Sequence, residues 1–207
     1  TILKELLKDE KLSLNPITLY TTRPIRPGEE EGREYYFITD EEAMELEQSD
    51  RLIEMRTYNT AYGPWKYMSY DNISTTDTDG EKILPERNFI TIGTLESYVK
   101  YVNYYGTKNT IPVYVTADMD TRRERSHFRL NGTLSELELK EIDRRLKADE
   151  EDFSDENLKK CSISTSFDNS GKLEDCVNEV KNYIREKYGI DAKITEINCE
   201  KYSSSPV

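Results

Sequence analysis

Ile2, Leu3, Leu6 and Leu7 repeat at helical spacing, so the chain opens on a short amphipathic helix. From Asn15 to Phe37 the text changes to Thr, Tyr, Pro, Gly and Arg. Pro24, Pro27, Gly28 and Gly32 enforce turns there, and Tyr35 to Ile38 reads as a short strand. Residues 40 to 50 predict a helix with Asp40 as its cap, acids in its first turn and Ala43, Met44 and Leu46 as its apolar positions. Arg51 to Tyr58 and the tyrosine-rich stretch to Tyr70 alternate like small antiparallel strands, giving a compact mixed insert. Asp71 to Gly80 is polar and ends in glycine, as a surface loop does.

Phe89 to Ile92 and Ile111 to Thr116 are short, apolar, β-branched runs of the kind that form buried parallel strands. With the helical stretch 95–104 between them they predict a βαβ unit. Residues 119–152 are dense in charge and helical in period, broken at Asn131-Gly132-Thr133. Ser162 to Thr165 is expected to be a last strand, and Leu173 to Tyr188 a final helix with Leu173, Val177, Val180 and Ile184 on one face. From about Ala192 the text fades into a polar, Ser-rich tail.

The 207 residues suffice for one α/β domain carrying one or two small inserts. A formal charge of −12 argues against a general nucleic-acid or anionic-membrane binder, which needs a basic face. Any anionic ligand must therefore meet a local basic island. Cys161, Cys176 and Cys199 match no zinc or disulfide spacing and read as reduced thiols, and no apolar run approaches a membrane span. We expect a soluble cytoplasmic protein, monomer or homodimer, with no membrane or nucleic-acid partner and no metal held by its own residues.

Two basic constellations carry chemistry. In Thr21-Thr22-Arg23-Pro24-Ile25-Arg26-Pro27-Gly28, two arginines three apart stand among backbone-fixing prolines, and two guanidinium forks aimed at one point match phosphate oxygens. The competing reading is that Arg23 and Arg26 merely pair with the acids at 29–31 on the surface. The second constellation is Arg122, Arg123, Arg125 and Arg129, with Arg144 and Arg145 further on; Arg125 and Arg129 share a helix face. Its competing reading is helix ion pairing with Glu124, Glu136, Glu138, Glu141 and Asp143.

Thr21-Thr22-Arg23-x-x-Arg26-x-Gly28-Glu29, with Gly32-x-x-Tyr35-x-Phe37 close behind and Glu54 before Tyr62-Gly63, resembles the acceptor-binding insert of guanylate kinases. Arg125-x-x-x-Arg129 and Arg145-Leu146 are similar to the arginines of that family's lid. The resemblance implies an α/β fold with a P-loop kinase-like parallel sheet flanked by helices (1–18, 83–118 and 153–191). It also implies a small mixed α+β GMP-binding insert (19–82), a helical lid (119–152) and a tail (192–207). It further implies transfer of the γ-phosphoryl group of ATP to GMP, with Mg2+. Arg23, Arg26, Tyr35 and Tyr62 would hold the acceptor phosphate, Glu54 would read guanine, and Arg125, Arg129 and Arg145 would grip the donor phosphates.

The family's Gly-x-x-x-x-Gly-Lys-Ser/Thr loop is not in the sequence. The opening helix looks like the one that follows it, so a strand and phosphate loop are expected upstream, with Thr1 at the loop's end. Leu19, Pro64, Thr91 and Gly93 stand where the family has a serine, a hydroxyl residue and an Asp-x-Asp pair. Two alternatives keep the same residues: a non-catalytic guanylate-kinase-like domain binding GMP or phosphopeptides, and a kinase for another small phosphorylated acceptor.

Overall fold

The computed structural model describes residues 2–60, 63–129 and 136–188. In chain order its first elements are α1 (Ile2–Leu7), β1 (Leu14–Pro16), β2 (Leu19–Thr21), β3 (Tyr35–Phe37), α2 (Asp40–Glu47), β4 (Leu52–Thr60) and β5 (Gly63–Tyr70). There follow β6 (Thr75–Thr76), β7 (Lys82–Ile83), β8 (Asn88–Ile90), α3 (Leu95–Tyr105) and β9 (Tyr114–Thr116). The last are α4 (Met119–Arg129), α5 (Glu136–Asp152), α6 (Asp155–Lys160), β10 (Ser166–Asp168) and α7 (Leu173–Tyr188). The chain is thus mixed α/β. It divides into two compact units, the first from Thr1–Leu12 and Ile111–Val207, the second from Ser13–Thr110.

In the first unit β9 and β10 pair in parallel, Val115 opposite Phe167. The final helix behaves as its periodicity requires: Cys176, Val177, Val180 and Ile184 are buried on α7, and Phe167 meets Tyr183 edge-on at 5.2 Å. Asp9, just after α1, accepts from Lys181 at 3.0 Å and Arg185 at 2.9 Å, tying the opening helix to the last one. On α5, Ile142 and Leu146 are buried one turn apart.

In the second unit a four-stranded sheet runs in the order β3-β2-β5-β4, with β2 and β3 parallel and the rest antiparallel. Met68, Ile53 and Ala43 are buried in this unit, and Tyr20 packs on Tyr36 and Tyr70. Separately, β1 pairs in parallel with β8.

Several expectations shift. The cap of α2 is Thr39, one residue before Asp40; its hydroxyl accepts from the Glu42 N–H while Glu42 reaches back to the Thr39 N–H. The stretch 71–80 is not all loop, because Thr75–Thr76 pairs with Lys82–Ile83 and Asp71 is fully buried. Strands β8 and β9 are shorter than predicted, are only part-buried, and pair with β1 and β10 respectively. Pro112, which lacks an N–H, stands in the part of the second run that is not strand. Ser162 to Thr165 is not the last strand. Ser162 adopts φ 57° and donates to the Lys159 carbonyl, closing α6, so pairing starts only at Ser166. The predicted helix break at Asn131-Gly132-Thr133 and the tail from Ala192 lie outside the described residues.

Candidate active site

Arg23 is delivered by the end of β2. The Thr21 hydroxyl donates to the Lys66 carbonyl at 2.9 Å and accepts from the Arg23 N–H at 3.2 Å; Thr22 exchanges backbone and hydroxyl bonds with Lys66. The Thr-Thr pair therefore pins the chain to β5 and turns the next side chain inward. Arg23 is 3% exposed, its guanidinium 5.4 Å from the Tyr35 ring centre and 5.5 Å from that of Phe37.

Both of its terminal nitrogens donate to Glu29, each at 2.9 Å, and Nη1 also reaches the Pro24 carbonyl. Glu29 is placed by a tight turn in which its N–H bonds the Arg26 carbonyl across Pro27 and Gly28; Gly28 sits at φ 86°, which a turn of this composition requires. The fork raises Arg23 above its ordinary pKa through the Glu29 bonds, and Arg23 holds Glu29 below its own. Arg26 is exposed and gives Glu29 its backbone N–H at 2.8 Å. The two forks therefore do not converge here: Arg23 is buried on a carboxylate, and Arg26 is at the surface. The acid pairing weighed from sequence is real for Arg23, but the pair is internal. Tyr35 is half-buried, edge-on to Tyr67, and burial raises its pKa.

Glu54 lies on β4 behind a register shift between Leu52 and Glu54, an irregularity that lets the adjacent Ile53 and Glu54 both be buried. Its Oε1 accepts from Ser97 at 2.9 Å and from Arg56 at 3.2 Å, with Ser69 at 3.5 Å. Its Oε2 is buried with no hydrogen-bond partner among the described residues. Ser97 belongs to the first turn of α3, where it completes a capping box with Thr94. A side chain at Gly93 would put its Cβ 2.8 Å from that of Ser97, so the carboxylate expected from the family pattern has no room. Sequence reading missed Ser69, Ser97 and Arg56. Only Arg56 left a signal, two residues beyond Glu54 and so on the same strand face.

Of the residues expected in a lid, Arg125 and Arg129 stand on α4 and Arg145 on α5. Arg123 pairs with Asp143 at 2.9 Å and Arg122 with Glu150 at 3.6 Å, so helix ion pairing takes part of this constellation. Arg125 is half-buried near Asp168, whose carboxyl is held below its ordinary pKa by Ser170 first and by Arg125 more weakly. Asp118, just before α4, accepts from the Thr121 N–H and hydroxyl at 2.8 Å each, which hold it down at about 2. Arg145 is exposed. Thr1, Tyr62 and the side chain of Arg129 lie outside the described residues.

Residues 1–78 match the sequence profile of the guanylate kinase family. The chain is 30% identical over 191 residues to the guanylate kinase of Mycoplasma mobile, covering 89% of this chain and 85% of that one. It is 40% identical over 67 residues to the guanylate kinase of Baumannia cicadellinicola, 30% of this chain and 33% of that one. The crystal structure of guanylate kinase from Anaplasma phagocytophilum superposes with a TM-score of 0.55 at 16% identity, over 90% of this chain and 80% of that one, a likeness of fold. By these matches the protein falls in the nucleoside monophosphate kinase class. Within that class the chain belongs to the guanylate kinase family. No helix among the described residues is long and apolar enough to cross a membrane.

Proposed function

We propose that this chain moves the γ-phosphoryl group of ATP to GMP. A phosphate oxygen of GMP bonds to the γ-phosphorus as the bond to the β,γ-bridging oxygen breaks, giving GDP and ADP. The observation that carries the reading is Glu54, a carboxylate enclosed at 7% exposure with one oxygen unpartnered. An unpaired buried acceptor is costly, and the donor edge of guanine supplies the missing N–H. Arg23, Arg26, Tyr35 and Tyr62 hold the acceptor phosphate, which takes from Glu29 the fork that Glu29 occupies. Arg125, Arg129 and Arg145 offset charge on the transferred group, so catalysis is positioning and neutralisation.

The same reading makes residues 1–18, 83–118 and 153–191 a P-loop kinase-like core, 19–82 the GMP-binding insert and 119–152 the lid. It also assigns Thr1 to the donor nucleotide, and the protein works in the cytoplasm. The described residues contain no cluster of three or more His, Cys, Asp or Glu able to hold a metal. Mg2+ bound with ATP would supply charge neutralisation for the transferred group beside Arg125, Arg129 and Arg145.

Incubating the chain with Mg-ATP and GMP and separating the products tests the proposal. Equal yields of GDP and ADP are expected where the donor's phosphate loop is present. GMP binding without GDP would uphold the acceptor assignment and overturn transfer by this chain, whose sequence holds no Gly-x-x-x-x-Gly-Lys-Ser/Thr run, and no GMP binding would remove the acceptor assignment altogether.

A further inference from the structure

Two buried polar atoms of the Glu54–Arg56 pair have no hydrogen-bond partner among the described residues: Glu54 Oε2 and Arg56 Nε. The two atoms of Glu54 differ sharply. Oε1 collects Ser97, Arg56 and Ser69, which fills its two lone pairs, while Oε2 has none. Arg56 is under-used in a complementary way. Of its five N–H groups one makes a good bond, to Oε1; Nη1 touches the Tyr58 hydroxyl and Thr94 Oγ1 only at 3.5 Å. Its side chain is 24% exposed against 5% for Glu54, so it is the member of the pair able to turn.

We propose that Arg56 reads the acceptor's base together with Glu54: the guanidinium donates to the 6-oxo group, Glu54 Oε2 accepts from N1–H, and the 2-amino group goes unread. The inference rests on the acceptor reading above. A carboxylate beside a guanidinium is an acceptor beside a donor, the complement of a purine whose N1–H stands beside a 6-oxygen. Adenine presents the reverse at both positions and meets two mismatches. The 2-amino group needs a further acceptor. Oε1 is already filled, Thr91 brings no carboxylate, and Gly93 has no space for one. Hypoxanthine carries the same 6-oxo and N1–H pair without that amine, so inosine monophosphate is an acceptor nearly equal to GMP.

Calorimetric titration of the chain with GMP, IMP and AMP, repeated on Arg56→Met and Arg56→Lys, tests this. The IMP dissociation constant should lie within about tenfold of that for GMP, with AMP weaker than both by about a hundredfold or more. Arg56→Met should weaken GMP and IMP alike by about tenfold or more and narrow the GMP-to-AMP ratio, with Arg56→Lys recovering part of the loss. A larger gap between GMP and IMP overturns the inference, as does unchanged GMP binding in folded Arg56→Met. Should that variant fail to fold, the wild-type IMP-to-GMP ratio decides alone. A wild type that binds GMP but fails these ratios sinks only the inference; one that binds none of the three sinks the acceptor reading with it.

Discussion

A guanidinium at 3% exposure persists only with negative charge against it, and in Arg23 that charge is Glu29. The pair shows what the fork can hold, two oxygens at 2.9 Å, one on each terminal nitrogen, with the guanidinium over the rings of Tyr35 and Phe37. Replacing Arg23 by Ala should raise the KM for GMP by about 10- to 100-fold, read from initial rates, because a charged donor to phosphate is lost. Replacing Glu54 by Gln puts an N–H where Oε2 now waits; GMP affinity should drop by about tenfold or more in calorimetry, with AMP losing much less. Arg23 and Glu54 were legible because each is a residue of restricted chemistry in a tightly spaced motif. That Glu29 fills the fork was legible only as one of three neighbouring acids, since spacing does not say which of 29–31 a turn returns to Arg23. Ser97 left no mark, for it reaches Glu54 across 43 residues of chain.

At the scale of elements, the helices read best and the short strands worst. The bounds of α7 match its periodicity, because 16 residues of 3.6 period leave little choice of face. Three-residue strands carry too few positions to fix an edge, so the last strand was placed over a helix closure at Ser162. Asp71 was misread for a different reason, since a polar residue after a strand ordinarily meets water. Here it is buried, accepts at 2.9 Å each from the Ser74 N–H and the Tyr104 and Tyr105 phenols, and accepts also from the Ser74 hydroxyl, joining the end of β5 to α3. Burial works to raise its pKa, but those donors outweigh it and bring the carboxyl from an ordinary 3.8 to about 2, while burial and Asp71 drive both phenols up.

A folded value below the unfolded one means stability that is complete above about pH 4 and lost as pH falls toward 2, about 2 kcal/mol in all. Urea unfolding should therefore show Asp71→Asn less stable than the parent by about 2 to 4 kcal/mol at pH 7, and the gap should shrink below pH 4. On α7, trimming the fully buried Val180 to Ala should cost about 1 to 3 kcal/mol at any pH in the same measurement.

Across the whole molecule, charge and chemistry are divided. The net −12 leaves basic groups as local islands, and the two islands fall in separate compact units, Arg23 and Arg26 in one and Arg125 and Arg145 in the other. Arg125→Ala should thus lower kcat by about tenfold or more while leaving the GMP dissociation constant within about twofold, a split that steady-state rates and calorimetry together expose. The proposed acceptor residues Arg23, Tyr35, Glu54 and Arg56 all lie within Ser13–Thr110, an unbroken run of sequence between the two segments of the other unit. The proposed insert 19–82 lies wholly inside that run. On the proposed reading, the choice of what is phosphorylated can then evolve, or be engineered, by exchanging that insert alone, which leaves Arg125, Arg129 and Arg145 uncut.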